Sequence, residues 1–128
     1  MTLIFDTSVL ILLEKGIPET IEKLRIIGES EKGSISFISY FEFIYGISKK
    51  SMKNMNNSHS FIQNFTFLTP TKNTAKIMVD LRKRYESQGV IFSLPDLMIA
   101  SQAIENGLIL LTSDKQFLKI KELRKEII

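Results

Sequence analysis

Short apolar runs alternate with amphipathic stretches along the chain. The apolar runs predict buried strands, at Leu3-Ile4-Phe5, Ser34–Ile38, Phe67-Leu68, Leu108–Thr112 and, as an edge strand, Glu126–Ile128. Apolar residues at helical spacing and capping residues predict helices between them, over Val9–Glu14, Pro18 to Gly28, Ser39–Gly46, Thr71–Ser87, Ser93–Asn106 and Asp114–Lys119. The polar, basic segment Lys49–Ser60 predicts a loop or a weak helix.

Strands that are continuously apolar and that alternate with helices are typical of a parallel sheet covered on both faces. The pattern therefore predicts an α/β fold, with three α/β/α layers and four to five parallel strands. A length of 128 residues without a repeat or a linker predicts one domain, residues 1–128. The apolar runs are well below the roughly 20 residues that a membrane span requires, and Asp6 directly follows the first run. These two features predict a cytoplasmic protein with no membrane contact.

Composition limits the chemistry that the chain can perform. It has no cysteine and one histidine, His59. These counts exclude disulfide scaffolds, thiolate metal sites, cysteine nucleophiles and sites built from several histidines. His59 lies in a polar segment and is interpreted as a surface residue. Catalysis in this chain must rely on carboxylates, hydroxyls, lysines or a metal held by oxygen.

Acidic residues fall at informative positions. Of the four aspartates, Asp6 and Asp114 follow predicted strands, Asp96 lies in the first turn of a helix, and only Asp80 lies mid-helix, as a surface residue would. Ligands of parallel sheets bind beyond the carboxyl ends of the strands, so Asp6 and Asp114 are expected to share that edge. Glu42 lies among apolar and aromatic residues, where a buried carboxylate needs a partner.

Helix capping is the alternative explanation for each acid. Asp6 and Asp114 each precede a predicted helix, and Ser39-x-x-Glu42 and Ser93-x-x-Asp96 fit a capping box. If the four acids converge instead, their mutual repulsion requires a counter-charge. Mg²⁺ or Mn²⁺ provides one, because both prefer carboxylate and water oxygens.

Four segments in order resemble the PIN-domain family and, within it, the VapC-type toxin ribonucleases of toxin–antitoxin pairs. They are Ile4–Leu10, Ser36-x-x-Ser39-x-x-Glu42-x-x-x-Gly46, Pro95–Ala103 and Leu110–Phe117. The resemblance extends from the first residue to about Ile120. The segment from Lys49 to Phe67 matches no family motif.

The resemblance implies a function and a set of partners. It implies an endoribonuclease that cleaves single-stranded RNA or RNA loops with water activated by Mg²⁺ or Mn²⁺. Asp6, Asp96 and Asp114 would be metal ligands, and Glu42 a further ligand or the residue that orients water. Ser8 and Thr112 would support the carboxylates by hydrogen bonds. It also implies a small VapB-like antitoxin and a homodimer. We expect the antitoxin to contact an apolar surface around Ile11, Leu12, Phe41 and Ile44.

Charge is compatible with an RNA substrate. The net charge is +3, and setting aside the four site acids leaves 10 acidic against 17 basic residues, a surplus of seven. Positive surface favours binding of phosphates. The candidate RNA contacts are Lys49, Lys50, Lys53 and Lys115. Tyr40 and Tyr45 are candidates for base stacking, although aromatic residues at this density are more typical of a core or a dimer interface. Phe41 and Phe43 are assigned to such a core or interface.

Other functions are also compatible with the sequence. One is a PIN nuclease of RNA processing that has no cognate antitoxin. Another is a non-catalytic PIN module that binds RNA or protein, although the presence of all four acids disfavours it. A nucleotide-binding doubly wound domain is disfavoured because no glycine-rich turn follows Asp6-Thr7-Ser8.

Overall fold

The computed structural model describes residues 3–27 and 33–128. The strands in this part of the chain are β1 (Leu3–Phe5), β2 (Ser34–Ser36), β3 (Thr66–Leu68), β4 (Ile109–Thr112) and β5 (Lys125–Ile127). The α-helices are α1 (Thr7–Glu14), α2 (Pro18–Ile27), α3 (Phe37–Ile47), α4 (Met52–Ile62), α5 (Lys72–Glu86) and α6 (Leu94–Glu105). A short 3₁₀ helix covers Lys115–Lys119.

The five strands form one sheet in the order β3-β2-β1-β4-β5, and every neighbouring pair is parallel. Ile4 is in register with Ser34 of β2 on one side and Leu110 of β4 on the other. The strand order reverses between β1 and β4, since the chain builds outward from β1 in one direction and then returns to its other side. Such a reversal opens a crevice at the carboxyl ends of the two strands.

Side chains of the central strands alternate between the two faces of the sheet. Ile4 and Leu110 pack on one face against a core to which α5 and α6 contribute. Leu3, Phe5 and Leu111 pack on the other face, against residues of α1, α3 and α4. The fold is therefore the predicted three-layer α/β/α arrangement around a parallel sheet, here with five strands.

Helix α3 begins earlier than the sequence predicts. The expected strand Ser34–Ile38 ends at Ser36, and the helix begins at Phe37 and not at Ser39. Ser36 is the residue that caps the helix, because its hydroxyl accepts the backbone N–H of Ser39 at 3.1 Å. The proposed capping box from Ser39 to Glu42 is therefore wrong, and Glu42 lies in the middle of α3.

The polar segment after α3 forms a helix, α4, for most of its length. Met55, Ser58 and Ile62 recur at helical spacing, with Ser58 and Ile62 buried and Met55 packed against the core. His59 lies on this helix and not in a loop, and its side chain is exposed as expected. The predicted end of α2 at Gly28 lies outside the described residues.

Candidate functional site

Asp6 lies at the carboxyl end of β1 and begins the site. Its side chain is buried, with 6% exposure. Oδ1 accepts the Ser8 hydroxyl at 2.7 Å and the Val9 N–H at 3.1 Å, so Asp6 caps α1. Oδ2 accepts a short hydrogen bond from the Thr112 hydroxyl. Both oxygens of the carboxylate are thus held in place, and capping alone does not explain the contact from Thr112.

The turn after β4 supplies the second part of the site. The fully buried Thr112 also accepts the backbone N–H of Asp114 on its hydroxyl, at 3.0 Å. Asp114 in turn caps the 3₁₀ helix by accepting the Gln116 N–H at 2.9 Å. Ser113 donates to the Ser8 hydroxyl at 2.8 Å. These bonds join the ends of β1 and β4 at the crevice where the strand order reverses.

Asp96 lies in the first turn of α6, and its N–H donates to the capping Ser93 hydroxyl at 3.2 Å. Burial raises the pKa of the Asp96 carboxyl above its ordinary value, and the Ser93 hydroxyl opposes this rise. The negative charges of Asp114, Asp6 and Glu42 raise the pKa further, in that order. Three carboxylates from separate parts of the chain therefore act electrostatically on Asp96, as charges in a common site do.

Glu42 reaches this group of acids from α3, and its environment differs from the expectation. Its side chain is exposed and not buried among its aromatic neighbours. Phe43 is buried in the core, whereas Phe41 is 56% exposed, so the core alternative fails for Phe41 and its place in an interface stays a prediction. Glu42 has a partner all the same, because the Thr7 hydroxyl donates to its Oε1 at 2.5 Å.

Two residues that join these elements were missed by the sequence reading. The sequence pattern gives Thr7 no role of its own beyond its place in the segment Ile4–Leu10. Gln102 of α6 is fully buried. Its Oε1 accepts the Phe37 N–H at 3.1 Å, and its Nε2 donates to the Leu68 carbonyl at 3.0 Å. It therefore connects the helix that carries Asp96 to the start of the helix that carries Glu42.

We refer to Asp6, Glu42, Asp96 and Asp114 as the acidic site. The ion pairs among the described residues use other carboxylates, namely Glu14, Glu22, Glu86 and Glu122. A set of carboxylates without paired cations suits a hard divalent ion. Across residues 3–27 and 33–128, however, no three acidic or histidine side chains lie close enough together to hold an ion in this conformation. The donor chemistry fits Mg²⁺ or Mn²⁺, and sharing one ion requires the side chains to move closer together.

The basic residues singled out from the sequence differ in their availability. Lys115 is exposed beside Asp114, and Lys53 is exposed on α4. Lys49 lies over the ring of Tyr45, 4.2 Å from its centroid. Lys50 is engaged within the protein, because its Nζ lies 3.0 Å from Glu14 Oε1 and donates to the Ser58 hydroxyl at 2.7 Å.

A groove runs between α1 and α3 beside the acidic site. It encloses a cavity of about 170 Å³, whose apolar lining is formed by Ile11, Phe43 and Ile47. Glu42 and Lys50 also line it, so the cavity extends from the acidic site to a lysine that follows the end of α3. Within the described residues, no helix is both long enough and apolar enough to span a membrane.

The parallel sheet, the strand reversal and the acidic crevice together define an α/β protein with a carboxylate site at its switch point. A family model described as the PIN domain matches residues 3–123, and the chain belongs to the PIN-domain family.

Particular relatives are similar over nearly the whole chain. Ribonuclease VapC2 of Rickettsia felis is 28% identical over 127 residues, which are 96% of this chain and 95% of that protein. The crystal structure of VapBC2 from Rickettsia felis bound to a DNA fragment from their promoter has a TM-score of 0.84 and 25% identity. The match covers 99% of this chain and 98% of the chain in that structure. A toxin–antitoxin complex from Klebsiella pneumoniae has a TM-score of 0.79 and 25% identity, over 99% of this chain and 100% of that chain.

Proposed function

We propose that this protein is a metal-dependent endoribonuclease that cleaves single-stranded RNA or RNA loops and is the toxin of a toxin–antitoxin pair. One observation carries the proposal: the half-buried carboxyl of Asp96 lies within the electrostatic influence of Asp114, Asp6 and Glu42. Such an arrangement is costly without a cation. The similarity to a protein named Ribonuclease VapC2 supports RNA as the substrate.

The acidic side chains have distinct proposed roles. Asp6, Asp96 and Asp114 would ligate Mg²⁺ or Mn²⁺, and Glu42 would be a further ligand or orient the attacking water. When bound, the ion lowers the pKa of water and stabilises charge that develops on the phosphate oxygens. Such chemistry needs no histidine, in agreement with a chain whose single histidine is exposed on α4.

Neighbouring side chains would orient the ligands. Ser8 and Thr112 donate to opposite oxygens of Asp6, so they fix its carboxylate plane. Residues that orient metal ligands in this way commonly change metal affinity or activity when replaced. Lys49, Lys53 and Lys115 are the proposed phosphate contacts. Lys50 is a weaker candidate, because binding RNA would compete with its contacts to Glu14 and Ser58.

A small VapB-like antitoxin is the proposed protein partner. Structures similar to this chain include a toxin–antitoxin complex. The groove between α1 and α3 offers a surface for such a partner, since Ile11, which lines it, is 40% exposed. A segment bound in this groove would lie beside Glu42, which lines the cavity. Occupation of the groove would therefore obstruct the acidic site.

The decisive experiment compares the wild type with Asp96→Asn and Asp80→Asn on a labelled pool of cellular RNA. Asp80 is exposed on α5, so its substitution is a matched control for the loss of one aspartate charge. Each protein is tested with Mg²⁺, with Mn²⁺ and with EDTA. We expect discrete cleavage by the wild type and Asp80→Asn in either metal, and none by Asp96→Asn or in EDTA. Equal cleavage by Asp96→Asn, or no cleavage by folded wild type, would contradict the nuclease assignment.

Expression in a bacterial host tests the toxin assignment separately. We expect wild-type expression to arrest growth and Asp96→Asn to leave growth unaffected. If a small antitoxin-like reading frame lies immediately upstream of the gene, its co-expression is expected to restore growth. Cleavage of RNA in vitro without growth arrest would favour an RNA-processing nuclease that has no cognate antitoxin.

A further inference from the structure

A threonine hydroxyl outside the acidic site holds one of its members. We propose that Thr7 is a positioning residue that fixes the carboxylate of Glu42 relative to Asp6. The role in catalysis rests on the proposed nuclease function, whereas the contact itself does not. The hydroxyl of Thr7 donates to Oε1 of Glu42 at 2.5 Å, across 35 positions of the chain.

The backbone of Thr7 is rigidly placed by the sheet. Thr7 is the first residue of α1 and directly follows Asp6. The N–H of Asp6 donates to the Leu111 carbonyl at 3.2 Å, and the Asp6 carbonyl accepts the Leu10 N–H at 3.1 Å. The junction of β1 and α1 is thereby fixed to β4 on one side and to the helix on the other. The Thr7 hydroxyl therefore extends from a fixed position of the backbone, and it holds the Glu42 carboxylate by a hydrogen bond.

Glu42 depends on this attachment, because within residues 3–27 and 33–128 its carboxylate makes no other hydrogen bond. Its side chain is long, exposed and in the middle of α3, where it would otherwise sample several rotamers. A hydrogen bond from a hydroxyl to a carboxylate is strong when it is as short as this one. The bond uses Oε1 and, within the described residues, Oε2 makes no hydrogen bond. One oxygen is therefore anchored, while the other remains available to a cation or to water.

The contact also joins two separate helices. Thr7 belongs to α1 and Glu42 to α3, and the cavity of about 170 Å³ lies between these helices. The cavity leaves the Glu42 end of the groove loosely packed. Without the hydroxyl, the position of the carboxylate would depend on α3 alone. Asp6 directly precedes Thr7 in the chain, so the Thr7 hydroxyl fixes the position of the Glu42 carboxylate relative to Asp6.

The test uses Thr7→Val, which removes the hydroxyl at nearly constant shape, and Thr7→Ser, which retains it. Thr66→Val is the matched control, because Thr66 is exposed at the amino end of β3, on the opposite edge of the sheet from the acidic site. Mn²⁺ affinity is measured by electron paramagnetic resonance. RNA cleavage is measured as kcat and KM. We expect Thr7→Val to lower Mn²⁺ affinity and kcat by about 10- to 100-fold with little change in KM. Thr7→Ser and Thr66→Val should behave like the wild type.

A double-mutant cycle separates positioning from general destabilisation. If Thr7 acts through Glu42, adding Thr7→Val to Glu42→Ala, which removes the acceptor of the hydrogen bond, should change Mn²⁺ affinity and kcat no further. Additive losses, or a Thr7→Val protein that binds Mn²⁺ and cleaves RNA like the wild type, would overturn the proposal. Thermal unfolding checks that each variant is folded, and little change is expected because the bond lies at the surface.

A spectroscopic measurement keeps the result independent of nuclease activity. With ¹³C-labelled glutamate, the Glu42 carboxyl resonance is assigned by its loss in Glu42→Gln. We expect it to shift in Thr7→Val and to stay in place in Thr7→Ser and Thr66→Val. If the wild type neither cleaves RNA nor binds Mn²⁺ while this resonance shifts as expected, the nuclease function fails and the positioning of Glu42 stands. An unchanged resonance in Thr7→Val would overturn the positioning role whatever the protein cleaves.

Discussion

The hydroxyl of Thr112 donates a hydrogen bond to Oδ2 of Asp6, between residues that are 106 positions apart in sequence. Asp6 directly follows β1 and Thr112 is the last residue of β4, and the two strands are neighbours because Phe5 and Leu111 are paired in the sheet. The bond lies in the buried interior of the crevice. It makes the orientation of the Asp6 carboxylate a property of β1 and β4 together.

Replacing Thr112 by valine should impair both stability and activity. Thr112→Val leaves a buried carboxylate oxygen without its donor, which costs about 1–3 kcal/mol of the free energy of unfolding. We also expect a loss of about 10- to 100-fold in RNA cleavage, because Asp6 is no longer held by its second oxygen. Urea denaturation and single-turnover cleavage measure the two effects. Thr112→Ser is the control that retains the hydroxyl, and a Thr112→Val protein with wild-type stability would contradict the assigned hydrogen bond.

The stability of the metal-free protein should depend on the charge of Asp96. Burial, with added repulsion from the other acids, raises the pKa of this carboxyl in the folded state. The folded protein therefore retains the proton to higher pH than the unfolded chain, and stability is lost as the pH rises through the folded pKa. Below the usual aspartate pKa, about 3.9, the penalty disappears because Asp96 is protonated in both states.

Thermal unfolding in EDTA tests whether stability falls as the pH rises. At pH 7, Asp96→Asn should unfold at a higher temperature than the wild type, and the difference should shrink as the pH approaches about 4. Asp80→Asn should show no such trend, since Asp80 is exposed outside the site. An Asp96→Asn protein that is less stable than the wild type at pH 7 would mean that the carboxylate is stabilised in the folded state.

Gln102 should contribute to stability through its side-chain amide. Gln102→Leu keeps much of the volume but leaves the Phe37 N–H and the Leu68 carbonyl without their partner. We expect a decrease of about 2–3 kcal/mol in the free energy of unfolding.

The adjacent Ser101 provides an informative contrast. Its hydroxyl is buried and, within the described residues, has no hydrogen-bond partner. Ser101→Ala should therefore leave stability unchanged or raise it by about 1 kcal/mol. Denaturant unfolding of both variants distinguishes the loss of the Gln102 side-chain amide from a general sensitivity of α6 to substitution. Equal destabilisation by the two substitutions would contradict the role given to the Gln102 amide.

Local patterns in the sequence were sufficient to locate most of the elements. The apolar run Leu108–Thr112 became β4, and the helix predicted over Thr71–Ser87 was observed as α5 with these two residues as its caps. The start of α3 was misplaced because Ser36 and Ser39 are both suitable capping residues, and only the end of β2 decides between them. Local spacing cannot make that choice.

The hydrogen bonds around the acidic site could be predicted from the sequence less well than the residues that form the site. The sequence pattern singled out Asp6 and Glu42, yet it gave no indication that Thr7 joins them, because that contact depends on how α1 and α3 pack. The exposure of Glu42 was also misjudged. Its aromatic neighbour Phe41 suggested burial, whereas the buried side of the helix follows Ser39, Phe43 and Ile47.

The pairing of β1 with β4 has a consequence for the order in which the protein is made. Asp6 and Glu42 emerge early from a translating ribosome, but the hydroxyl that holds Asp6 belongs to Thr112. Until Thr112 and Asp114 have been synthesised and β4 has inserted beside β1, a nascent chain carries the first acids without the strand that orients them. A cell that translates this message is therefore exposed to an assembled acidic site only after residue 114 has left the ribosome.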